Sequence, residues 1–391
     1  MKQSKPILSI IIVSYNTKEL LKECLDSVAK SLASANFKSN QEKILNQVQN
    51  DANRNRHPNS SRRHPDDPPA GGQDLPLSLT QIPDQVWNDS FQVRYPDSSH
   101  RHPDDPPVGG QDLPLAEIIV VDNNSRDDSV EMLENLKLKL ENSMKIENLK
   151  LKIIINNDNL GFAKANNQGI KIAEGKYVLL LNSDTKIVED NFFPKIISFL
   201  EKNSAVGILG PKLIWEDGKI QPSGGYFPTL GRLFAWAFFL DDLPGLSKII
   251  KAYHPHPKDC QKPQRQDWVT GACFWVKKEV FDKIGMLDED FFMYVEELEF
   301  CFRAKKAGFE VIYYPQAKLI HYGGKSGTAF NTVIGEFKGL KLFYQKHQPA
   351  WQKPFLNFLL KAAAFNRFFF LGILGGNKEK KEIYRKVLES K

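Results

Sequence analysis

The sequence predicts an α/β fold built on a mostly parallel central sheet, Rossmann-like in its first half. Three observations predict it. Continuous apolar runs bounded by polar turns recur as "ILSIIIVSY", "AEIIVVDNNS", "LKIIINNDN" and "KYVLLLNSD", the pattern of strands buried on both faces. Stretches with helical spacing separate them, as a sheet covered on both sides requires. The runs end in Asp, Asn or Ser, which puts polar side chains at the carboxyl ends of the strands, where open α/β sheets bind ligands.

The first apolar run lies within "MKQSKPILSIIIVSYNT". Its short apolar core ends in polar turn residues, unlike a secretory signal, and reads as a buried strand. The helix after it is "TKELLKECLDSVAKSL", with Leu20, Leu21, Cys24, Leu25 and Val28 on one face and Thr17 as N-cap.

The character then changes. The stretch from about residue 37 to 115 holds 11 of the 23 prolines and four of the eight histidines and has no sustained period. Helix-to-strand connections in βαβ units usually take roughly two to six residues. Residues 38–114 therefore read as an insertion too polar to offset its ordering entropy. It contains "RHPDDPPAGGQDLPL" and again "RHPDDPPVGGQDLPL", which differ only at Ala70 and Val108, as a recent duplication would. His64, Asp66, Asp67, His102, Asp104 and Asp105 lack the rigid support that metal ligands need. A smaller duplication, "ENLKLK" at 134–139 and 147–152, lengthens the next helix-to-strand passage.

In the sheet's first half, Ser14, Tyr15 and Asn16 end one strand and Asp122 and Asn124 follow another. These residues line a crevice that suits a base or ribose, although all of them also favour ordinary turns. In "NNDNLGFAKANNQGI", Gly161 makes a tight turn before a helix carrying Lys164 and Asn167, and a helix start near a lysine favours phosphate. An ordinary capped helix would read the same way. "YVLLLNSDTKI" ends in Asn182, Ser183 and Asp184; Asp184 is an oxygen ligand for Mg²⁺ or Mn²⁺ or else the cap of a helix over "TKIVEDNFFPKIISFL".

At 391 residues and 41% hydrophobic content, the chain can bury a sizeable core without staples. Cys24, Cys260, Cys273 and Cys301 are scattered, which suits a reducing compartment and a cytoplasmic location. The net charge of +6 comes from 53 basic and 47 acidic residues whose signs are interspersed, which does not point to nucleic acid. In "FLNFLLKAAAFNRFFFLGILGG", Lys361, Asn366 and Arg367 interrupt any membrane-spanning length. A helix lying on a membrane surface and a helix packed on the core both fit.

The ordered set "SIIIVSYNTKELLKECLDSV", "EIIVVDNNSRDDS", "NLGFAKANNQGI", "LLLNSDT", "DWVTGACFWVKKEVFDKIGMLDEDFFMYVEELEFCFRAKKAGF" and "HYGG" resembles the inverting family 2 glycosyltransferases of GT-A fold, rhamnosyltransferase-like members in particular. The resemblance covers residues 6 to 350, insertions excepted. It implies one GT-A domain over 1–350, interrupted by 38–114, with a helical extension over 351–391 that contacts a membrane or the core.

The resemblance further implies that Asp122 contacts the base, that Asp184 is the last acid of a DxD-type motif with Asn182 in support, and that His321 contacts metal or diphosphate. Glu297 takes the place of the usual catalytic aspartate, with Glu296 in reserve. Trp268, Gly271 and Ala272 fall on the acceptor side. The implied reaction moves a sugar, rhamnose by the likeness, from a nucleoside diphosphate donor to a saccharide or polyprenyl-linked acceptor with divalent-metal assistance. Two other readings stay open: a catalytically silent sugar-nucleotide-binding protein, and a protein-interaction role carried by the insertion.

Overall fold

In a computed structural model of the chain, the residues described are 6–33, 116–142, 149–243, 245–246, 250–255, 262–323, 329–373 and 378–389. The repeat-bearing stretch and Cys260 lie outside them, and so does the expectation of low order there.

The chain runs β1 (Leu8–Ser14), α1 (Lys18–Ala33), β2 (Ala116–Asp122), α2 (Ser129–Asn142), β3 (Leu149–Ile155), α3 (Phe162–Ile172), β4 (Tyr177–Asn182), β5 (Thr185–Ile187), α4 (Phe192–Lys202), β6 (Val206–Ile214) and β7 (Gly224–Gly225). It continues with α5 (Leu230–Ala237), β8 (Gln264–Gln266), β9 (Trp268–Val269), β10 (Cys273–Lys277), α6 (Lys278–Ile284), α7 (Glu296–Lys306), β11 (Glu310–His321), α8 (Ala329–His347), α9 (Gln352–Ile373) and α10 (Lys378–Glu389).

The main sheet has the order β3-β2-β1-β4-β10-β6-β11-β5, with β8 also on β11. β1 pairs in parallel with β2 on one side and β4 on the other, whereas β10 runs antiparallel between β4 and β6. Alternate side chains of each central strand enter opposite cores. Ile11, Ile119, Leu180 and Phe274 face one core, while Ile10, Ile12, Val120, Leu179 and Trp275 face the other. This double covering is why these strands read as unbroken apolar runs.

Two expectations shift in detail. Residues 185–187 are strand β5, and the helix after them begins at Phe192, so Asp184 caps no helix. The last four residues of the second copy of "ENLKLK" belong to a strand and not to the connection. Its Leu149–Lys152 is the start of β3, while the identical Leu136–Lys139 is a turn of α2.

α9 and α10 form the C-terminal helical region. No helix among the described residues is long and apolar enough to cross a membrane.

Candidate active site

Because β2 and β4 leave β1 on opposite sides, the carboxyl ends of these three strands open a crevice. It contains a cavity of about 670 Å³ lined by Val13 and Tyr15, Asn123, Asn159, Gly161 and Phe162, Asn182 to Asp184, the Asp290–Tyr294 loop, and the Ile334–Leu342 face of α8.

Hydroxyls lock the strand ends together. Ser14 Oγ and Thr17 Oγ1 are 3.0 Å apart, and Thr17 Oγ1 is 2.9 Å from Ser183 Oγ. Asn16, in the left-handed region at φ 53°, donates its amide to Ser125 Oγ and accepts from Arg126 N–H. The β1 and β2 loops are thereby tied to each other. Asp122 is fully buried; Oδ1 accepts from the Ser125 amide at 2.9 Å, while Oδ2 has no partner in the fold. A buried carboxylate oxygen left bare costs free energy unless a donor arrives. Asn124, at φ 71°, completes the turn.

At the other strand end, Asp184 is buried and its Oδ1 lies 3.4 Å from His321 Nε2, at the end of β11. Gln221 orients that imidazole. Its Nε2 donates to the His321 carbonyl, so its Oε1 is the atom 2.9 Å from His321 Nδ1. Oε1 can only accept; Nδ1 therefore carries a proton, and Nε2 is the ring nitrogen that faces Asp184. A carboxylate oxygen and a ring nitrogen held this close can share a proton or hold a cation between them. An imidazole nitrogen and a carboxylate suit a divalent metal whose remaining positions go to diphosphate oxygens and water. No group of three or more potential metal ligands occurs among the described residues, so these two would be the protein's share.

The α3 start is less open than the sequence suggests. Gly161, at φ 81°, lets the chain pass so close to Phe292 that a Cβ would stand 2.4 Å from its carbonyl oxygen. That carbonyl accepts the Phe162 amide at 2.7 Å, so this first helical N–H is already used. Lys164 is exposed and does not line the cavity, and Asn167 is buried, bonding Leu287 and Glu289 instead. Neither residue faces the cavity, and Asn167 instead holds the 287–289 stretch.

Glu296 and Glu297 open α7 directly behind Tyr294 and Val295, two consecutive residues with φ near 72°. Each glutamate leaves Oε2 buried without a partner. Burial pushes the Glu296 carboxyl well above its usual range, and the Glu297 charge adds to this. Burial also raises Glu297, against hydrogen bonds from its own amide and that of Gly271. A Cβ at Gly271 would lie 3.3 Å from the Phe162 ring and 3.9 Å from Glu297 Cβ. Phe162 lines the cavity, and Gly271 lies between it and Glu297; neither glutamate is a lining residue. Beyond Glu297, His254 Nε2 is 2.7 Å from Glu336 Oε1. Burial works to raise Glu336, yet the His254 charge and hydrogen bonds from His254 and Tyr253 hold it below the usual carboxylate range.

Glu299, the third acid, is tied to Arg303 and His347 at 2.8 and 2.9 Å and is structural. Trp268 is buried against Tyr253 and His254, with its indole N–H on the Tyr226 carbonyl, and so belongs to the core and not to a sugar-facing wall. The Ala272 carbonyl accepts the Asn182 amide and carries β10 past the Asp184 turn.

Sequence reading missed Gln221, Asn123, Lys338 and the Gly335/Gly339 pair. The spacing Gly-x-x-x-Gly in "IGEFKGL" is a signal of close backbone approach that points to α8.

The family described as glycosyl transferase family 2 matches residues 108–285. That stretch is similar to a family 2 glycosyl transferase domain. The matched stretch holds the β2 to α6 part of the site, while β1 and the α7 glutamates flank it.

The chain is 24% identical over 168 residues to an N-acetylglucosaminyl-diphospho-decaprenol L-rhamnosyltransferase of Mycobacterium tuberculosis, across 40% of this chain and 51% of the relative. It is 27% identical over 213 residues to the dTDP-rhamnosyl transferase RfbF of Shigella flexneri, across 54% of this chain and 61% of that one. A mannosyltransferase of Pyrobaculum calidifontis, solved with GDP-Man and Mn²⁺, is similar at a TM-score of 0.46 and 13% identity, covering 99% of this chain and 84% of that one. The chain spans about half or less of the length of several curated relatives it matches.

Proposed function

We propose that this chain is an inverting glycosyltransferase, which moves a sugar from a nucleoside diphosphate donor to an acceptor hydroxyl. The observation that carries the reading is the Asp184–His321 pair at the carboxyl edge of the sheet, with the imidazole Nε2 turned by Gln221 toward the carboxylate. A divalent metal, Mg²⁺ or Mn²⁺, bound there would neutralise charge developing on the departing nucleoside diphosphate.

The chain's own residues do the rest. The bare Oδ2 of Asp122 takes a donor hydrogen from the base or ribose. Tyr15 and Asn182 border the same cavity, and Lys338 reaches it from α8. Glu297, with the proton affinity that burial gives it, takes the acceptor proton. Its carboxylate must come within roughly 3 Å of the hydroxyl, which requires the buried group to be reached from the cavity. The acceptor oxygen then attacks opposite the leaving diphosphate, so that configuration inverts and no covalent enzyme intermediate forms.

The rhamnosyltransferase relatives make dTDP-rhamnose the first donor to test and a polyprenyl-linked saccharide the first acceptor. A panel of dTDP, UDP and GDP sugars, read by nucleotide release with Mg²⁺ or Mn²⁺, checks the reading. We expect one donor to be turned over and Glu297→Gln to cost about 10²–10⁴-fold in rate, with Asp184→Ala abolishing metal-dependent turnover. Donor binding without turnover, unaffected by Glu297→Gln, would make the chain a silent sugar-nucleotide binder, and no binding of any donor would sink both readings.

A further inference from the structure

The helix α9 is apolar on two sides, and the fold covers one of them. Leu356, Leu359, Leu360, Ala363 and Ala364 are buried. Trp351, just before the helix, and Phe355, Phe358, Phe365 and Phe369 on it recur at the spacings that keep residues on one helix face; they are between 49% and 64% exposed.

The patch continues beyond α9. Ring contacts run from Phe365 to Phe369 at 6.1 Å, to Phe370 at 6.0 Å, and on to Phe239 at 5.5 Å, next to the end of α5. There Phe234 and Phe238, 4.8 Å apart, are exposed as well. Single exposed apolar residues are ordinary, but a contiguous aromatic surface marks something that covers it.

Charge decides what that is. α9 offers Lys353 and Lys361 and carries no acidic residue, its Arg367 being stacked on Trp236 and Phe239; α10, packed against it, is net basic. A second copy of the same face would set these cations against their own images in a two-fold contact. The stripe also lies along a helix ridge, which offers no groove to a peptide. Aromatic rings beside Lys and Arg on a helix too polar to cross a bilayer match a surface of anionic lipid: rings enter at head-group depth and cations meet the phosphates.

We infer that the α5–α9 aromatic face docks the protein on an anionic lipid bilayer, with α9 lying in the plane of the interface. α8, whose Ile334, Lys338 and Leu342 line the cavity, packs against α9. The cavity is therefore one helix away from the bilayer, where a polyprenyl-linked saccharide would be met. The docking surface stands on its own geometry, and only that last use of it rests on the proposed transfer reaction.

Flotation of the full chain with vesicles tests the inference without donor or acceptor, so its failure leaves the transfer reading untouched. The chain should float with phosphatidylglycerol-containing vesicles, less so as salt rises, and weakly with pure phosphatidylcholine. Phe358→Ser combined with Phe365→Ser should lower the bound fraction about tenfold or more, and Lys361→Glu should weaken binding in low salt. All of these positions are exposed, and unchanged melting temperatures verify folding. Failure of the parent chain to float, or equal flotation by the double variant, overturns the inference. So does a vesicle-free dimer in sedimentation velocity that the double variant dissolves.

Discussion

Gln221 spends both ends of its amide on His321, one on the carbonyl and one on Nδ1, and this fixes which ring nitrogen is free for Asp184. Gln221→Leu should leave Asp184 and His321 in place but release the ring, lowering Mn²⁺ affinity about 10–100-fold in a titration followed by electron paramagnetic resonance with nucleoside diphosphate present. Unchanged affinity would show that Gln221 does not orient the ligand. Asp122 and Asp184 were legible in the sequence because each ends an unbroken apolar strand. Gln221 was not: it sits in an irregular stretch a hundred residues from His321 in the chain, and only the β6–β11 pairing brings the two together. Trp268 illustrates the converse, since an indole near a motif looks like a sugar platform until its N–H is found on the Tyr226 carbonyl.

The tetrapeptide Leu-Lys-Leu-Lys is helical at 136–139 and extended at 149–152. Local propensity cannot separate the two copies, because both are identical. In β3 the alternation sends Leu149 and Leu151 toward the core, while Lys152 pairs with the buried Glu117 at 2.7 Å, so neighbours decide what propensity leaves open. Helix α8 was hidden for a related reason. Its place at the cavity comes from two glycines that let it approach the loop before α7. A Cβ at Gly339 would stand 2.7 Å from Val295 Cγ2 and 2.8 Å from the Tyr294 carbonyl oxygen. Gly339→Ala should therefore push α8 off this loop, costing about 1–3 kcal/mol in denaturant unfolding and lowering turnover together with stability. A variant as stable as the parent would show that the loop yields without cost.

For the molecule as a whole, the parallel half of the sheet was legible, since strands buried on both faces leave continuous apolar runs. The half beyond β4 was less so, because β10 enters antiparallel and its partners are distant in the chain. Buried charge at Glu296 and Glu297 sets a pH dependence for the whole fold. Unfolded, these carboxyls titrate near the ordinary value of about 4.3; folded, burial holds their protons to higher pH. As pH rises past the unfolded value, the unfolded chain sheds protons that the folded chain keeps. Stability contributed at this site therefore falls until the folded values are passed, and stays reduced above them. Glu296→Gln should raise the melting temperature by a few degrees at pH 8 and change it little at pH 4, by scanning calorimetry. An equal shift at both pH values would mean that ionisation is not the cause.

The same sheet also separates two of its edges. Ala33 closes α1 and Ala116 opens β2 beside Leu8, whereas the cavity forms at Ser14, Asp122 and Asn182, at the far ends of those strands. Seven residues of strand put about 20 Å between the two edges. The seam between Ala33 and Ala116 is thus a graft point: a tag or a whole foreign domain spliced there would be carried on the back of the sheet, away from the substrates.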